Sequence, residues 1–209
     1  MFVGDLNVWN DDANCPVDPI EMQKHVCLLV YRLFDWYKLG EEGRVSERNP
    51  VDQCVCLALV IFLTIAYNQN YTFMVYAASQ RLKAALEKCI LFRWANAPDL
   101  LMWTLTMGGL ATRGTDGFEF FRKYCVMAFE DQGFSAATNA EEVLDRMRKC
   151  LWLTKLDNDV KSLWAQMGIC KGDEFALEML ESGYKSPDQI KKEDIVGGLT
   201  NERFFNKKS

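Results

Sequence analysis

Apolar residues recur at helical spacing through most of the chain, and no stretch shows the strict alternation that indicates a half-buried β-strand. The first such pattern runs from Pro19 to Leu39, and its apolar face carries Met22, Val26, Leu29, Val30, Leu33, Phe34 and Tyr37. Asp18 before Pro19 is typical of a helix N-terminus, and Gly40 is expected to end the helix as a left-handed C-cap. The pattern predicts an all-α fold, a single irregular array of about seven to nine helices.

Further helices follow from the same spacing and from the turn-forming residues between them. They are predicted, in chain order, at about residues 51–67, 72–92, 97–112, 118–131, 138–152 and 157–168, with a short terminal helix opened by Ser186-Pro187. Thr138 followed by Glu141 is a capping-box pattern. The polar segments 40–50, 68–70 and 132–139 are predicted to be loops or turns.

The composition changes near Gly168–Gly172, after which the chain is more charged and poorer in large apolar residues. We therefore divide the chain into an N-terminal extension (1–17), a helical domain (18–168) and a helical C-terminal appendix or tail (169–209). A single domain of this size is long enough to bury a substantial core.

The segment at residues 98–111 is apolar on every side, which predicts a buried helix at the centre of the core. Pro98 suits a first helical position, because its missing N–H leaves no donor unsatisfied there. The adjacent Gly108 and Gly109 are expected to let neighbouring helices approach closely. This pattern predicts a packing role and no particular reaction.

The same segment carries a family resemblance. APDLLMWTLTMGGLAT (97–112) resembles the Pro-x-Leu-Leu-x-Trp…Gly-Gly-Ala signature of the fungal-specific transcription factor domain, the regulatory region of fungal binuclear zinc-cluster regulators. Three more segments resemble that family in its order: VCLALVIFLTIAYN (55–68, with Cys56 where Arg is usual), SQRLKAALEK (79–88) and KCLWLTKLDNDVKSLWAQM (149–167). The resemblance implies a nuclear, non-enzymatic role in transcriptional control, through protein partners or a small effector.

The DNA-binding part of that family is not recognisable in these residues. The zinc-cluster cysteine spacing is absent, the net charge is −5, and the lysine doublets at 191–192 and 207–208 are read as solvated charge. Nucleic-acid binding relies on clustered Lys and Arg, so we expect no direct nucleic-acid binding by this chain. No secretory signal pattern is visible, so we expect a nuclear location from the resemblance, or otherwise a cytoplasmic one, and no secretion.

Eight cysteines occur without a C-x-x-C pair, so no metal and no other cofactor is expected. In a reducing compartment most of them are interpreted as buried free thiols. The longest apolar run, Cys54 to Tyr67, has about 14 residues, fewer than the roughly 20 that cross a bilayer. We therefore expect a core helix there and no membrane interaction.

Catalytic chemistry has few candidates. His25 is the single histidine, and Cys27 cannot pair with it locally because residues two apart diverge on a helix. Glycines at 108, 109, 114 and 117 follow an apolar helix rather than a strand, so they do not form a phosphate loop. We predict no catalytic residue and no enzymatic activity.

A few residues are candidates for a site. Large apolar side chains in the family-like region either line an apolar ligand pocket or fill the core, and these are Trp94, Trp103, Met107, Trp152 and Trp164. Gly108 and Gly109 are assigned to helix packing. Asp159 is expected to cap or orient the turn before the last helix of the domain, with a ligand contact as the second interpretation.

The favoured hypothesis is therefore a helical regulatory domain of the transcription-factor type, without direct DNA binding. The first alternative is a helical protein-interaction module with no link to transcription. The second is a small-molecule enzyme that uses His25 or a reactive cysteine.

Overall fold

The computed structural model describes residues 18–42, 48–67 and 72–170. These residues form seven α-helices and two 3-10 helices, without strands, so the prediction of an all-α fold is confirmed for this part of the chain. The α-helices are α1 (Pro19–Glu41), α2 (Pro50–Tyr67), α3 (Thr72–Lys88), α4 (Pro98–Thr112), α5 (Phe118–Glu130), α6 (Ala140–Met147) and α7 (Asp157–Met167). The 3-10 helices are Leu91–Trp94 and Thr154–Leu156.

Several predictions made from the sequence lie outside the described residues. They concern the N-terminal extension at 1–17, residues 43–47 of the loop at 40–50, the turn at 68–70, the helix after Ser186 and the appendix from residue 171 onward.

The most extensive contact between two helices joins α2 to α3, which are also neighbours in sequence. Because four residues separate the two helices, they run antiparallel, with the start of α2 beside the end of α3. Helix α1 also packs on α2.

Helix α4 packs against α2, α3, α5, α6 and α7. Every residue from 101 to 109 is buried, and Pro98 occupies the first turn, where it costs no hydrogen bond. A Cβ atom on Gly108 would overlap the ring of Phe121 in α5. A Cβ on Gly109 would lie 2.5 Å from Cε of Met167 in α7. The two glycines thus face different helices, and each permits a close approach.

Gly40 does not end α1 as a left-handed cap, and that prediction is wrong. The helix continues to Glu41, and Glu42 follows in a right-handed conformation. A Cβ on Gly40 would lie 2.9 Å from Cδ of Arg48, whose guanidinium carbon stands 3.8 Å from the centre of the Trp36 ring. Gly40 therefore provides space for Arg48. Gly168, by contrast, ends α7 in the left-handed conformation with φ 79°.

Helix α3 ends at Lys88, although its pattern predicted a helix to residue 92. Ile90 adopts an extended conformation, and the 3-10 helix that follows rotates Trp94 into the core. Phe92, in the same short helix, is left 84% exposed. Burial of the larger Trp94 ring accounts for this break in the helix.

Helix α6 begins one residue later and ends earlier than its pattern predicted. Its N-cap is Asn139, whose side chain accepts a hydrogen bond from the Glu141 amide at 3.0 Å. Thr138, the predicted cap, instead accepts from the backbone N–H of Ser135 at 2.9 Å. The helix ends at Met147, so Trp152 lies outside it.

Helix α2 is, among the described residues, the one helix long and apolar enough to cross a membrane by length and composition. Its 18 residues have a mean hydropathy of 1.9, and 56% of them are buried inside the fold. Core helices of soluble proteins meet the same criteria, and α2 packs on α1, α3 and α4.

Candidate functional site

The five apolar residues singled out in the sequence all lie in the core. Their exposed fractions do not exceed 6%, and they are Trp94, Trp103, Met107, Trp152 and Trp164. Trp103 packs near Phe62 of α2, and Trp164 makes an edge contact with Phe129 of α5. These rings therefore join helices to one another across the core.

Three of the four indole N–H groups are used within the fold. Trp103 donates to the carbonyl oxygen of Leu151 at 2.8 Å, and Trp164 donates to Oγ1 of Thr106 at 3.2 Å. Trp152 donates to Oδ1 of Asp157 at 2.7 Å. Because a buried indole donor needs a partner, these bonds fix the rings in place and leave no donor for a ligand.

Trp94 differs from the other three tryptophans. Its Nε1 is buried without a hydrogen-bond partner in the described part of the chain. The residue borders a pocket of about 130 Å³, whose described walls include Pro98, Leu101, Tyr124 and Met127. Ligand pockets usually have about 300–1,000 Å³, so this space suits a few atoms rather than an effector molecule.

A larger concavity lies between α1, α2 and α3, and we call it the α1–α3 groove. Its volume is about 410 Å³, within the usual range for a small-molecule site. The described residues that line it are Val26, Cys27, Val30, Tyr31, Phe34, Thr64, Tyr67 and Met74. Thr64 of α2 is buried, and its hydroxyl donates to the carbonyl oxygen of Val60 in the same helix at 2.7 Å.

The sequence did not identify this groove as a site. Val26, Val30 and Phe34 were assigned to the apolar face of α1, but Cys27 and Tyr31 lie beside that face and widen it. Tyr31 remains 68% exposed, and Cys27 is exposed as well. The sequence signal for the groove was the width of the apolar face of α1, because one neighbouring helix cannot cover a face this wide.

The thiols show how little nucleophilic chemistry the core offers. Burial raises the pKa of Cys54 to about 12 and that of Cys56 to about 11, and it also raises the pKa of Cys125. Since the thiolate is the reactive form, these side chains are poor nucleophiles at neutral pH. Cys27 is exposed on α1, two positions from the exposed His25.

No group of three or more His, Cys, Asp and Glu side chains in the described ranges could hold a metal ion. The acidic residues near α7 have a structural role instead. Asp157 accepts from Trp152 and also from Nη2 of Arg148 at 2.6 Å. The pairing with Asp157 raises the pKa of Arg148 above its ordinary value.

The orienting contacts that we expected from Asp159 are thus made by Asp157. Asp159 is exposed in the first turn of α7. Asp157 is the first residue of α7 and therefore lies next to the segment that contains Trp152 and Arg148.

Comparison of the chain with protein-family models found no match. Comparisons with curated proteins and with solved structures found no similar protein either. The resemblance to the fungal transcription factor domain therefore stays a prediction.

Proposed function

We propose that this chain is a non-enzymatic helical regulatory domain that binds a small apolar effector in the α1–α3 groove. The observation that carries the proposal is the groove itself, a concavity of about 410 Å³ with apolar walls. Its volume is within the range of sites that enclose a small molecule, whereas the pocket beside Trp94 is below it.

The lining of the groove supports an apolar ligand in particular. The Thr64 hydroxyl is bonded within α2, and the remaining described walls are uncharged side chains, of which Tyr31 and Tyr67 each carry a phenol hydroxyl. A ligand gains affinity there mainly by removing apolar surface from water, at roughly 25 cal/mol per Å². A strongly charged ligand would lose its hydration without a partner.

The walls of the groove come from three different helices, which suggests how such a ligand would act. Tyr31 on α1, Tyr67 on α2 and Met74 on α3 all line the groove, so a ligand would contact each helix at once. A ligand that binds one arrangement of the three helices better than another shifts their population. That response is the property expected of a regulatory domain.

The transcriptional context rests on the sequence resemblance alone. We propose that the domain acts in the nucleus through protein partners rather than by contact with DNA, since the net charge of −5 disfavours phosphate binding. An electrophoretic mobility assay with the purified chain should show no tight binding to DNA. Tight, salt-sensitive binding would contradict this part of the proposal.

The groove is tested with the uncharged fluorescent probe N-phenyl-1-naphthylamine and with a panel of uncharged apolar compounds that compete for it. Titration should show saturable binding at one site. Cys27→Trp, which fills the groove, should weaken binding at least about tenfold, a loss of roughly 1.4 kcal/mol. The control is Leu28→Trp, because Leu28 is exposed on the same helix but does not line the groove.

A second readout uses the native thiol. In a Cys15→Ser background, alkylation of Cys27 by iodoacetamide should slow when a competing compound is bound. Equal probe binding by Cys27→Trp, Leu28→Trp and the unmodified chain, with no protection of Cys27, would reject the groove as the binding site. A cooperative thermal transition in each variant shows that the probe reports on folded protein.

The second candidate function is protein interaction unrelated to transcription. Phe73 is 81% exposed and Phe92 is 84% exposed, and each ring would lose apolar surface to water on contact with a partner protein. Recovery of a partner whose binding is lost in Phe73→Ser or Phe92→Ser, but kept in Cys27→Trp, would favour this candidate over the first.

A further inference from the structure

A small pocket lies where the 3-10 helix Leu91–Trp94 and the first turns of α4 meet the second half of α5, and we call it the Trp94 pocket. Its volume is about 130 Å³. The described residues that line it are Trp94, Ala95, Pro98, Leu101, Tyr124, Met127, Ala128, Asp131 and Gln132. It shares no described wall residue with the α1–α3 groove, so the two are separate concavities.

The walls of the Trp94 pocket combine buried and exposed apolar side chains. Trp94, Leu101 and Ala128 are buried. Met127 is 43% exposed, and Ala95 is exposed as well. A partner can therefore reach the apolar walls from the side of Met127 and Ala95.

One end of the Trp94 pocket is acidic. Asp131 directly follows Glu130, the last residue of α5, and both residues are exposed. In the part of the chain that the structure describes, the Asp131 carboxylate takes part in no hydrogen bond and no ion pair. The C-terminal end of a helix carries a partial negative charge, which adds to that of the two carboxylates. This end of the pocket therefore favours a cation.

The neighbouring cations leave this acidic end available. Arg146 donates to Oε1 of Gln132 at 2.8 Å, and its guanidinium pairs with Asp99 at 2.7 Å. Lys123 precedes Asp131 by eight residues in α5, so it lies about 12 Å away along the helix axis. A cation supplied by a partner thus meets an acidic side chain that no described residue neutralises.

We propose that the Trp94 pocket is a docking site for a partner protein that inserts one leucine-sized apolar side chain and pairs an adjacent lysine or arginine with Asp131. A cavity of about 150 Å³ accommodates benzene, so a pocket of about 130 Å³ has room for one such side chain. The site does not depend on the α1–α3 groove, and it goes beyond the binding of an effector there.

The size of the pocket favours a side chain over a free ligand. A free molecule of so few atoms would lose its own translational and rotational freedom in return for little buried surface. A side chain on a partner shares that cost with the rest of the interface, and the partner also covers the exposed part of Met127. Single side chains seated in pockets contribute much of the binding free energy of protein interfaces.

The test uses the full chain and three capped tetrapeptides, acetyl-Gly-Leu-Arg-Gly-amide, acetyl-Gly-Leu-Glu-Gly-amide and acetyl-Gly-Ala-Arg-Gly-amide. Each is titrated to millimolar concentration while NMR spectra record the assigned tryptophan indole and methionine methyl signals. The indole signal of Trp94 and the methyl signal of Met127 should shift. The Leu-Arg peptide should bind about tenfold more tightly than the Ala-Arg peptide, because leucine buries more apolar surface. It should bind about threefold more tightly than the Leu-Glu peptide, because the ion pair is exposed.

Two pairs of variants locate the site. Ala95→Phe, which fills the pocket from an exposed position, should weaken binding of the Leu-Arg peptide about tenfold. Asn96→Phe is the control, because Asn96 is also exposed but does not line the pocket. Asp131→Asn should remove the preference for arginine over glutamate, and Glu130→Gln, outside the pocket walls, should keep most of it.

The peptide series needs no variant, so it decides the question even if Ala95→Phe is poorly folded. The proposal is overturned if the Trp94 and Met127 signals do not move, or if the Leu-Arg and Leu-Glu peptides bind equally. A shift of the Met74 methyl signal instead would place the peptide in the α1–α3 groove and would also overturn it. Shifts of the Trp94 and Met127 signals with protein concentration alone would assign the pocket to a second copy of this chain, against the proposal.

Discussion

The ring of Phe121 occupies the position that a Cβ atom on Gly108 would need. Phe121 is fully buried in α5, and Gly108 lies in the buried stretch of α4. The missing side chain thus lets α5 approach the backbone of α4 directly. The close packing of α5 on α4 therefore requires glycine at position 108.

Gly108→Ala should destabilise the fold by about 1–3 kcal/mol, because the added methyl group overpacks a closely packed contact and outweighs the better helix propensity of alanine. Urea denaturation measures the change in free energy of unfolding. The matched variant is Gly109→Ala, whose new Cβ meets the flexible end of Met167, and we expect a change of less than about 1 kcal/mol there. Equal effects of both substitutions would contradict the distinction between a rigid ring and a flexible side-chain end.

Asp157→Ala should cost about 1–3 kcal/mol, because it leaves the buried Trp152 indole N–H without its acceptor. It also removes the partner of Arg148, whose ion pair with Asp157 is partly exposed, so that we expect this loss to be the smaller one. Asp159→Ala is the control, since Asp159 lies in the same first helical turn and is exposed. Its effect should stay within about 0.5–1 kcal/mol. Thermal unfolding followed by tryptophan fluorescence distinguishes the two, and a larger loss in Asp159→Ala would restore that residue's predicted role.

Stability should fall as pH rises above about 9. Burial raises the pKa of Cys54 to about 12 and also raises that of Cys125, so the folded state keeps protons that unfolded thiols lose near pH 9. The thiol contribution is fully present below the unfolded pKa and is lost as pH rises toward the folded pKa. Each thiol adds up to about 1.4 kcal/mol per pH unit in that window.

Urea denaturation at about pH 8 and about pH 10 measures this dependence. Cys125→Ala should make the decline shallower, because one buried thiol no longer contributes. Substitution of the exposed Cys27 by Ser should leave the slope unchanged. A decline of the same steepness in all three proteins would assign the alkaline effect to other groups.

Gly168→Ala should cost about 1–2 kcal/mol, because a left-handed conformation is unfavourable for residues with a Cβ. Its φ is 79°, and a Cβ there would meet no atom within 4 Å, so the cost is conformational rather than steric. Gly168→Asn should recover part of the loss, since asparagine tolerates this conformation better. If both variants denatured at the wild-type urea concentration, the C-cap role of Gly168 would be wrong.

Much of the fold could be predicted from local pattern. Helical spacing of apolar residues indicated all seven α-helices of the described ranges, and the last of them was predicted to end near Gly168, as α7 does. The ends of α3 and α6 were wrong because distant contacts determine them. Trp94 turns into the core after α3, and the carbonyl of Leu151, beyond α6, accepts from Trp103, 48 residues earlier in the chain.

The candidate site was less accessible from the sequence. The tryptophans were identified with two interpretations open, and their hydrogen bonds now account for three of them as core residues. The α1–α3 groove was missed, because a groove is the space that three neighbouring helices leave between them. No spacing along one helix specifies how fully its neighbours cover it.

The sequence by itself determined where helices form, which faces are apolar and where glycine replaces a side chain, since these depend on residues a few positions apart. The tertiary structure decided which atoms meet. It placed Phe121 against Gly108, and Asp157 rather than Asp159 beside Trp152. Such contacts join residues far apart in the chain, and their free energy depends on packing that local periodicity does not encode.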